Sequence, residues 1–275
     1  MTASSTPDTR RFAGRNVVVT GASRGIGAAL ARRLAAEGAN LLLVARTLDR
    51  HDRLPGSLRE TTAVCAEHGV IAEPFVADLT SSSARAGIVP AALALFDGRI
   101  DVLVNNAAAA IYGPLAPYPM KRVGLTFEVN VYAPMELTQQ VLPGMLERGE
   151  GWIVNVSSAT ARHLPGPPYG DAGKVMGVYG ASKAALNRLT NAFAAELHGS
   201  GVRVNSIEPR AAVMSEGAEA LVGAIVRPDQ IEPMEAMVES IVALCDCGPD
   251  DTGGVHVSLD LLADRGIAVR SLDGT

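Results

Sequence analysis

Residues 16–27 leave this chain few ways to fold. Asn16 to Thr20 contains the run Val17-Val18-Val19, and the chain then turns through Gly21-Ala22-Ser23-Arg24-Gly25-Ile26-Gly27. Consecutive β-branched residues suit a strand buried on both faces, as in a parallel sheet. Beyond the glycines, Ala28 to Glu37 has helical spacing, with Leu30 and Leu34 on one face and Gly38 to end it. A strand passing through glycines into a helix is the context that a dinucleotide-binding turn requires. The glycines let the backbone approach a phosphate. The helix start offers unpaired N–H groups and the positive end of its dipole.

The alternation continues along the chain. Leu41 to Ala45, Ile71 to Val76, Asp101 to Val104, Gly151 to Val156, Val202 to Ile207 and Val255 to Leu259 read as further strands. Ser57 to His68, Ser81 to Phe96, Thr126 to Leu146, Tyr179 to Leu197 and Pro233 to Cys245 read as helices. This order predicts an α/β fold of Rossmann type, doubly wound, with seven mostly parallel strands and helices on both faces. With 275 residues, 48% of them apolar, and no short internal repeat, we expect one domain over 12–275 after a flexible polar tail at 1–11.

Composition removes several classes of function. A net charge of −5 offers no basic footprint for nucleic acid. No apolar run approaches the roughly 18 residues of a membrane span, and Met1 to Arg11 lacks the apolar core of a signal peptide. Cys245-Asp246-Cys247 brings two thiols together, but a zinc site takes about four ligands, so no metal is expected. With Cys65, these are read as reduced thiols of a cytoplasmic protein.

Candidate chemistry lies at the strand ends. Tyr179 and Lys183 stand four apart, on one face of a helix. A free phenol has a pKa of about 10. A neighbouring ammonium is expected to lower it, making Tyr179 a proton donor or acceptor for an alcohol/carbonyl pair. Ser157-Ser158 closes the strand before them, at the carboxyl end where such sheets place ligands. The second strand ends Val44-Ala45-Arg46, without the acid that would bind a ribose 2′-hydroxyl. Arg46 and Arg24 suit a 2′-phosphate instead; the alternative is two ordinary surface arginines.

Taken together, Thr20 to Gly27, Asp78, Asn105-Asn106-Ala107, Asn130, Ser158, Tyr179 with Lys183, and Pro209 resemble, in order and spacing, the short-chain dehydrogenase/reductase family. The likeness covers nearly the whole chain and is to the compact single-domain members. Short strings at Leu54 to Leu58 and Pro209 to Val213 look like the hydroxysteroid-dehydrogenase-like and terpene-alcohol dehydrogenase subgroup. The resemblance implies hydride transfer between a nicotinamide cofactor and a small alcohol or carbonyl compound. Tyr179 would move the proton, and Lys183 would assist it and bind the nicotinamide ribose. Ser158 would hold the reacting oxygen. Asn130 would hold a water leading to Lys183; the alternative is an asparagine at a helix kink. The cofactor, NADP(H) in preference to a possible NAD(H), would lie on Gly21, Ser23, Arg24, Gly25, Ile26, Gly27, Arg46, Asp78, Leu79, Asn105, Ala107, Tyr179, Lys183 and Pro209.

Three departures stand out. Arg210 replaces the usual glycine after the proline, Met214 or Ser215 replaces a usual threonine, and the segment between Ser158 and Tyr179 is long. Tyr169 in that segment is a candidate substrate contact or a plain loop aromatic, and Met214 is a second candidate. Residues 208–228 would cover the substrate, and Ala212, Val213, Met214, Ala218, Leu221 and Val222 suggest an apolar wall. The resemblance also implies a homodimer or homotetramer. Two other functions stay open: a cofactor-binding sensor or scaffold without turnover, and a lyase or epimerase using the cofactor transiently.

Overall fold

The structure is a computed structural model that describes residues 10–52, 54–210, 212–216, 218, 219 and 231–275. Its strands are β1 (Asn16–Thr20), β2 (Asn40–Ala45), β3 (Ala72–Val76), β4 (Val102–Asn105), β5 (Gly151–Val156), β6 (Val202–Glu208) and β7 (Val255–Val257). They form one sheet in the order β3-β2-β1-β4-β5-β6-β7, with every neighbouring pair parallel. The order reverses between β1 and β4, which opens a crevice at the carboxyl ends of the strands.

Strand periodicity sorts the core into two layers, because alternate side chains point to opposite faces. Val17, Val19, Leu41, Leu43, Val102, Val104, Trp152 and Val154 pack on one side. There they meet α1 (Gly25–Ala36), α2 (Leu58–Ala66), α9 (Met234–Leu244) and α10 (Ser258–Asp264). Val18, Leu42, Val44, Leu103, Ile153 and Val204 pack on the other, against α4 (Ile88–Leu95), α6 (Ala133–Arg148) and α8 (Gly177–Glu196). No helix among the described residues is long and apolar enough to cross a membrane.

Three elements differ from the sequence reading. The single helix expected over Ser81 to Phe96 is two, α3 (Ser82–Ala86) and α4, broken at Gly87. Pro90 has no N–H, so it is accommodated in a first turn, where that group has no helical partner. The helix expected from Thr126 begins earlier, as α5 (Met120–Phe127), and widens into a π-helical turn at Glu128–Tyr132 before α6. Pro134 has no N–H to return to the carbonyl of Asn130, four residues back, so the ladder opens there. Ser258 and Leu259, read as strand, start α10 instead. The Ser258 hydroxyl donates to the buried Glu232 carboxylate (2.8 Å), while Leu261 and Leu262 turn into the core. The long segment before α8 also contains a short helix, α7 (Asp171–Val175).

Candidate active site

The glycine turn forms as its sequence requires. Gly21 and Ala22 N–H groups donate to the Val44 carbonyl (2.7 and 3.2 Å), fastening the turn to β2. Asn106 locks it from the β4 side, donating from its side chain to the carbonyls of Thr20 (2.8 Å) and Gly21 (3.2 Å). The backbone N–H groups of Asn106 and Ala107 both donate to the Thr20 hydroxyl (3.1 Å each). The space is so close that a Cβ on Gly27 would sit 2.3 Å from the Gly21 oxygen. Ser23 is buried, and Ile26 packs on the core. Arg24, at the start of α1, gives the helix no side-chain cap, and its first turn has no acid of its own. Its first N–H groups therefore have no partner within the helix and take an anion from elsewhere; the Gly25 N–H donates to Glu216 (3.0 Å). A glycine cradle with these donors fits a dinucleotide diphosphate.

Asn105 faces the other way. Its amide donates to Asn155 (2.9 Å), Asn155 donates to the Thr190 hydroxyl (2.8 Å), and Thr190 meets Ser206 (2.8 Å). This buried polar chain crosses β4, β5, α8 and β6 beneath the site.

At the end of β2, Arg46 is exposed. Arg24 reaches back to the carbonyls of Pro55 (2.9 Å) and Gly56 (3.0 Å). Burial lowers the Arg24 pKa; Glu216 opposes this, and the like charge of Arg46 adds to it. Asp78 accepts from the Thr80 N–H (2.9 Å) and hydroxyl (2.8 Å). The Thr80 backbone bond holds its pKa below the usual carboxylate range, and the charge of Arg46 contributes. Leu79 is buried, with its carbonyl held by Arg85 (2.6 Å), which also forks onto Glu136 (2.6 and 2.8 Å).

Across the crevice, α8 presents Tyr179 and Lys183, both buried. The helix presses against the short turn Ala159–Ala161 that follows Ser158. Gly180 permits this, because a Cβ there would lie 2.4 Å from the Thr160 carbonyl. Ser158 accepts from the Thr160 N–H (3.2 Å) and hydroxyl (3.0 Å) and shares a hydrogen bond with Tyr179. Lys183 donates to the Val156 carbonyl (2.6 Å), and its ammonium lies 5.9 Å from the centre of the Tyr179 ring. Asn130, in the π-helical turn, accepts from the Ala109 N–H (2.8 Å) and donates to Ser182 (3.0 Å). Ser182 in turn donates to the Tyr179 carbonyl (2.7 Å). Asn130 thus ties the loop after β4 to α8.

One electrostatic expectation is overturned. The Tyr179 pKa is raised rather than lowered. Burial raises the phenol above its ordinary value, Tyr112 adds to this, and the Ser158 hydrogen bond works against it. Burial also pulls Lys183 down to about 7. Loss of hydration is the first cause of both shifts.

The aromatic that meets Tyr179 is Tyr112, which the sequence reading did not name. Their rings stand edge to face at 70°, with centroids 5.8 Å apart. Tyr169 lies over Gly166 of its own loop and is 55% exposed. Tyr112 was discoverable as the lone aromatic in an alanine-rich stretch just beyond the carboxyl end of β4. Met214 lines a groove of about 740 Å³ beside the glycine turn, with Ser23, Arg24 and Gly25. Pro209 follows β6. At the departure Arg210, the N–H donates to Glu232 (2.8 Å), and the side chain pairs with Asp260. Arg162, four residues after Ser158, pairs with the buried Glu208 at the end of β6. Leu221 and Val222 lie outside the described residues.

Comparison with known proteins agrees with this geometry. The family model for the short chain dehydrogenases matches residues 15–220. A ketoacyl reductase, HetN, from Nostoc sp. is 39% identical over 71% of this chain and 63% of its own length. An L-xylo-3-hexulose reductase from Hypocrea jecorina is 36% identical over 73% of this chain and 67% of its own. The chain thus spans about two thirds of these curated relatives. Among solved structures, a short chain dehydrogenase from Mycobacterium thermoresistibile superposes with a TM-score of 0.79 at 27% identity, covering 94% of this chain and 93% of the other. A metagenomic short-chain oxidoreductase in complex with NADP gives 0.72 at 30% identity, covering 90% and 97%. The chain belongs to the short-chain dehydrogenase family of NAD(P)-dependent oxidoreductases.

Proposed function

We propose that this protein is an NADP(H)-dependent oxidoreductase that interconverts an alcohol and a ketone or aldehyde on an apolar small molecule. The observation that carries the reading is the convergence of Tyr179, Lys183 and Ser158 on the side of the crevice opposite the glycine turn. When bound, the nicotinamide supplies or accepts the hydride. The glycine turn and the start of α1 would hold the diphosphate, and Arg24 and Arg46 the 2′-phosphate. Tyr179 donates or takes the proton on the substrate oxygen. Its raised pKa keeps it protonated at neutral pH, which suits donation to a developing alkoxide. Ser158, oriented by Thr160, offers a hydrogen bond to that oxygen. The apolar substrate is supported by Tyr112 and by Leu115 and Leu164, large apolar side chains left exposed on the loops after β4 and β5. Assembly as a homodimer or homotetramer belongs to the same reading.

Cofactor choice gives the direct test. A well-made charge-assisted hydrogen bond contributes about 1.5–3 kcal/mol, and roughly 1.4 kcal/mol is tenfold in affinity. Arg46→Ala is therefore expected to weaken NADP⁺ about tenfold, with NAD⁺ unchanged, in calorimetric titrations at fixed ionic strength. Equal wild-type affinities, or a parallel loss of both nucleotides, would show that Arg46 does not read the phosphate.

Tyr112 gives a second test. Edge-to-face pairs are worth about 0.5–1.5 kcal/mol beyond the area they bury. Tyr112→Ala should lower turnover of a ketone roughly two- to tenfold and shift the phenol limb of the pH profile downward. Tyr112→Phe should preserve turnover, because it keeps the ring contact, but should still shift the limb downward, because the charge effect of Tyr112 on the phenol resides in its hydroxyl. Equal losses in the two variants would assign the effect to the hydroxyl rather than the ring.

A further inference from the structure

This inference rests on the cofactor reading above. Glu216 lies beyond β6 in the chain, yet its carboxylate sits on the start of α1, accepting a hydrogen bond from the Gly25 N–H (3.0 Å). The seat is tight, since a Cβ on Gly25 would come within 2.9 Å of the Ser215 Cβ. Ser215 shapes the turn that presents the carboxylate. Its N–H donates to Val213 (2.9 Å), its hydroxyl accepts from Ala218 (3.2 Å) and its carbonyl accepts from Glu219 (2.8 Å). Arg24, beside Gly25, feels the negative charge of Glu216 directly. The helix has neither a side-chain cap nor an acid in its first turn. Glu216 therefore acts as its N-terminal anion from 191 residues away in sequence.

That is the job a cofactor phosphate does at such a turn. One N–H cannot serve a carboxylate and a phosphate fully at once, and the two anions repel. We propose that Glu216 is a determinant of nucleotide affinity: its carboxylate competes with the cofactor diphosphate for the start of α1. Nucleotide entry then lifts Ser215 and Glu216 from the glycine turn.

The test is calorimetric titration of NADP⁺ into wild type, Glu216→Gln and Glu216→Ala, with thermal unfolding of each protein alone. Both variants are expected to bind roughly three- to tenfold more tightly, with the gain shrinking as salt rises. Both should also unfold at a lower temperature without nucleotide, because α1 has lost its anion. Affinities equal to or weaker than wild type, alongside clear wild-type binding, would overturn this proposal and leave the cofactor reading standing. Binding by none of the three proteins would overturn the cofactor reading and this proposal with it. Binding by the variants alone would support both.

Discussion

Tyr179→Phe is expected to lower turnover by about a hundredfold to ten-thousandfold, the range for a positioned acid or base, while NADP⁺ affinity stays within about twofold. The substitution removes one hydroxyl and keeps the ring, so the edge contact with Tyr112 and the packing of α8 survive. What goes is the transferable proton and the hydrogen bond with Ser158. The measurement is NADPH oxidation across a panel of ketones and aldehydes, with nucleotide affinity measured separately. Activity within tenfold of wild type would remove Tyr179 from proton transfer. A wild-type protein that binds nucleotide but turns over nothing would favour the scaffold reading.

Conformational stability is expected to rise between about pH 7 and 9, and Lys183→Met is expected to flatten that rise. Lys183 has an ordinary pKa of 10.5 but is held at about 7 by burial. Between these values the unfolded chain binds more protons than the folded one, so stability increases with pH and falls back as pH drops toward 7. The slope contributed by one such group approaches about 1.4 kcal/mol per pH unit. Other buried groups set the upper limit. Burial pushes Cys65 and Cys247 from 9.0 up to about 12, and Cys245 higher still. Tyr179 is likewise raised above 10.0. Their contributions are complete below those ordinary values and are lost as pH rises past them, which places the maximum near pH 9. Urea midpoints taken from pH 6 to 10 test this. Parallel curves for wild type and Lys183→Met would mean that the amine is not held neutral by burial.

Much of this was legible locally. The β-branched run of β1, the glycines after it and the four-residue spacing of Tyr179 and Lys183 each state a backbone geometry within one element. The strand ends then follow from the parallel sheet, which gathers Ser158, Asn106 and the glycine turn at one edge. What escaped depends on contacts between distant segments. Tyr112 reaches Tyr179 because Asn130 pins the loop after β4. Glu216 reaches Gly25 because of the path taken after β6. The spacing that pairs Lys183 with Tyr179 carries no information on how dry their surroundings are, so the expected sign of the phenol shift was reversed. The apolar character of Met214 suggests a wall over the substrate, but its place beside the glycine turn depends on the path after β6.

The polar chain beneath the site has a consequence for how such a protein can change. Thr190 lies on the face of α8 that carries Tyr179 and Lys183, eleven and seven positions along. Its bonds to Asn155 and Ser206 therefore fix the rotation of the whole helix against the sheet. None of these partners belongs to the segments around Tyr169 or Glu216. Aim and recognition are thus set by separate parts of the chain. Exchanging the loop at 162–177, or the stretch after β6, can alter which molecule is accepted while the phenol and amine remain indexed to the strands.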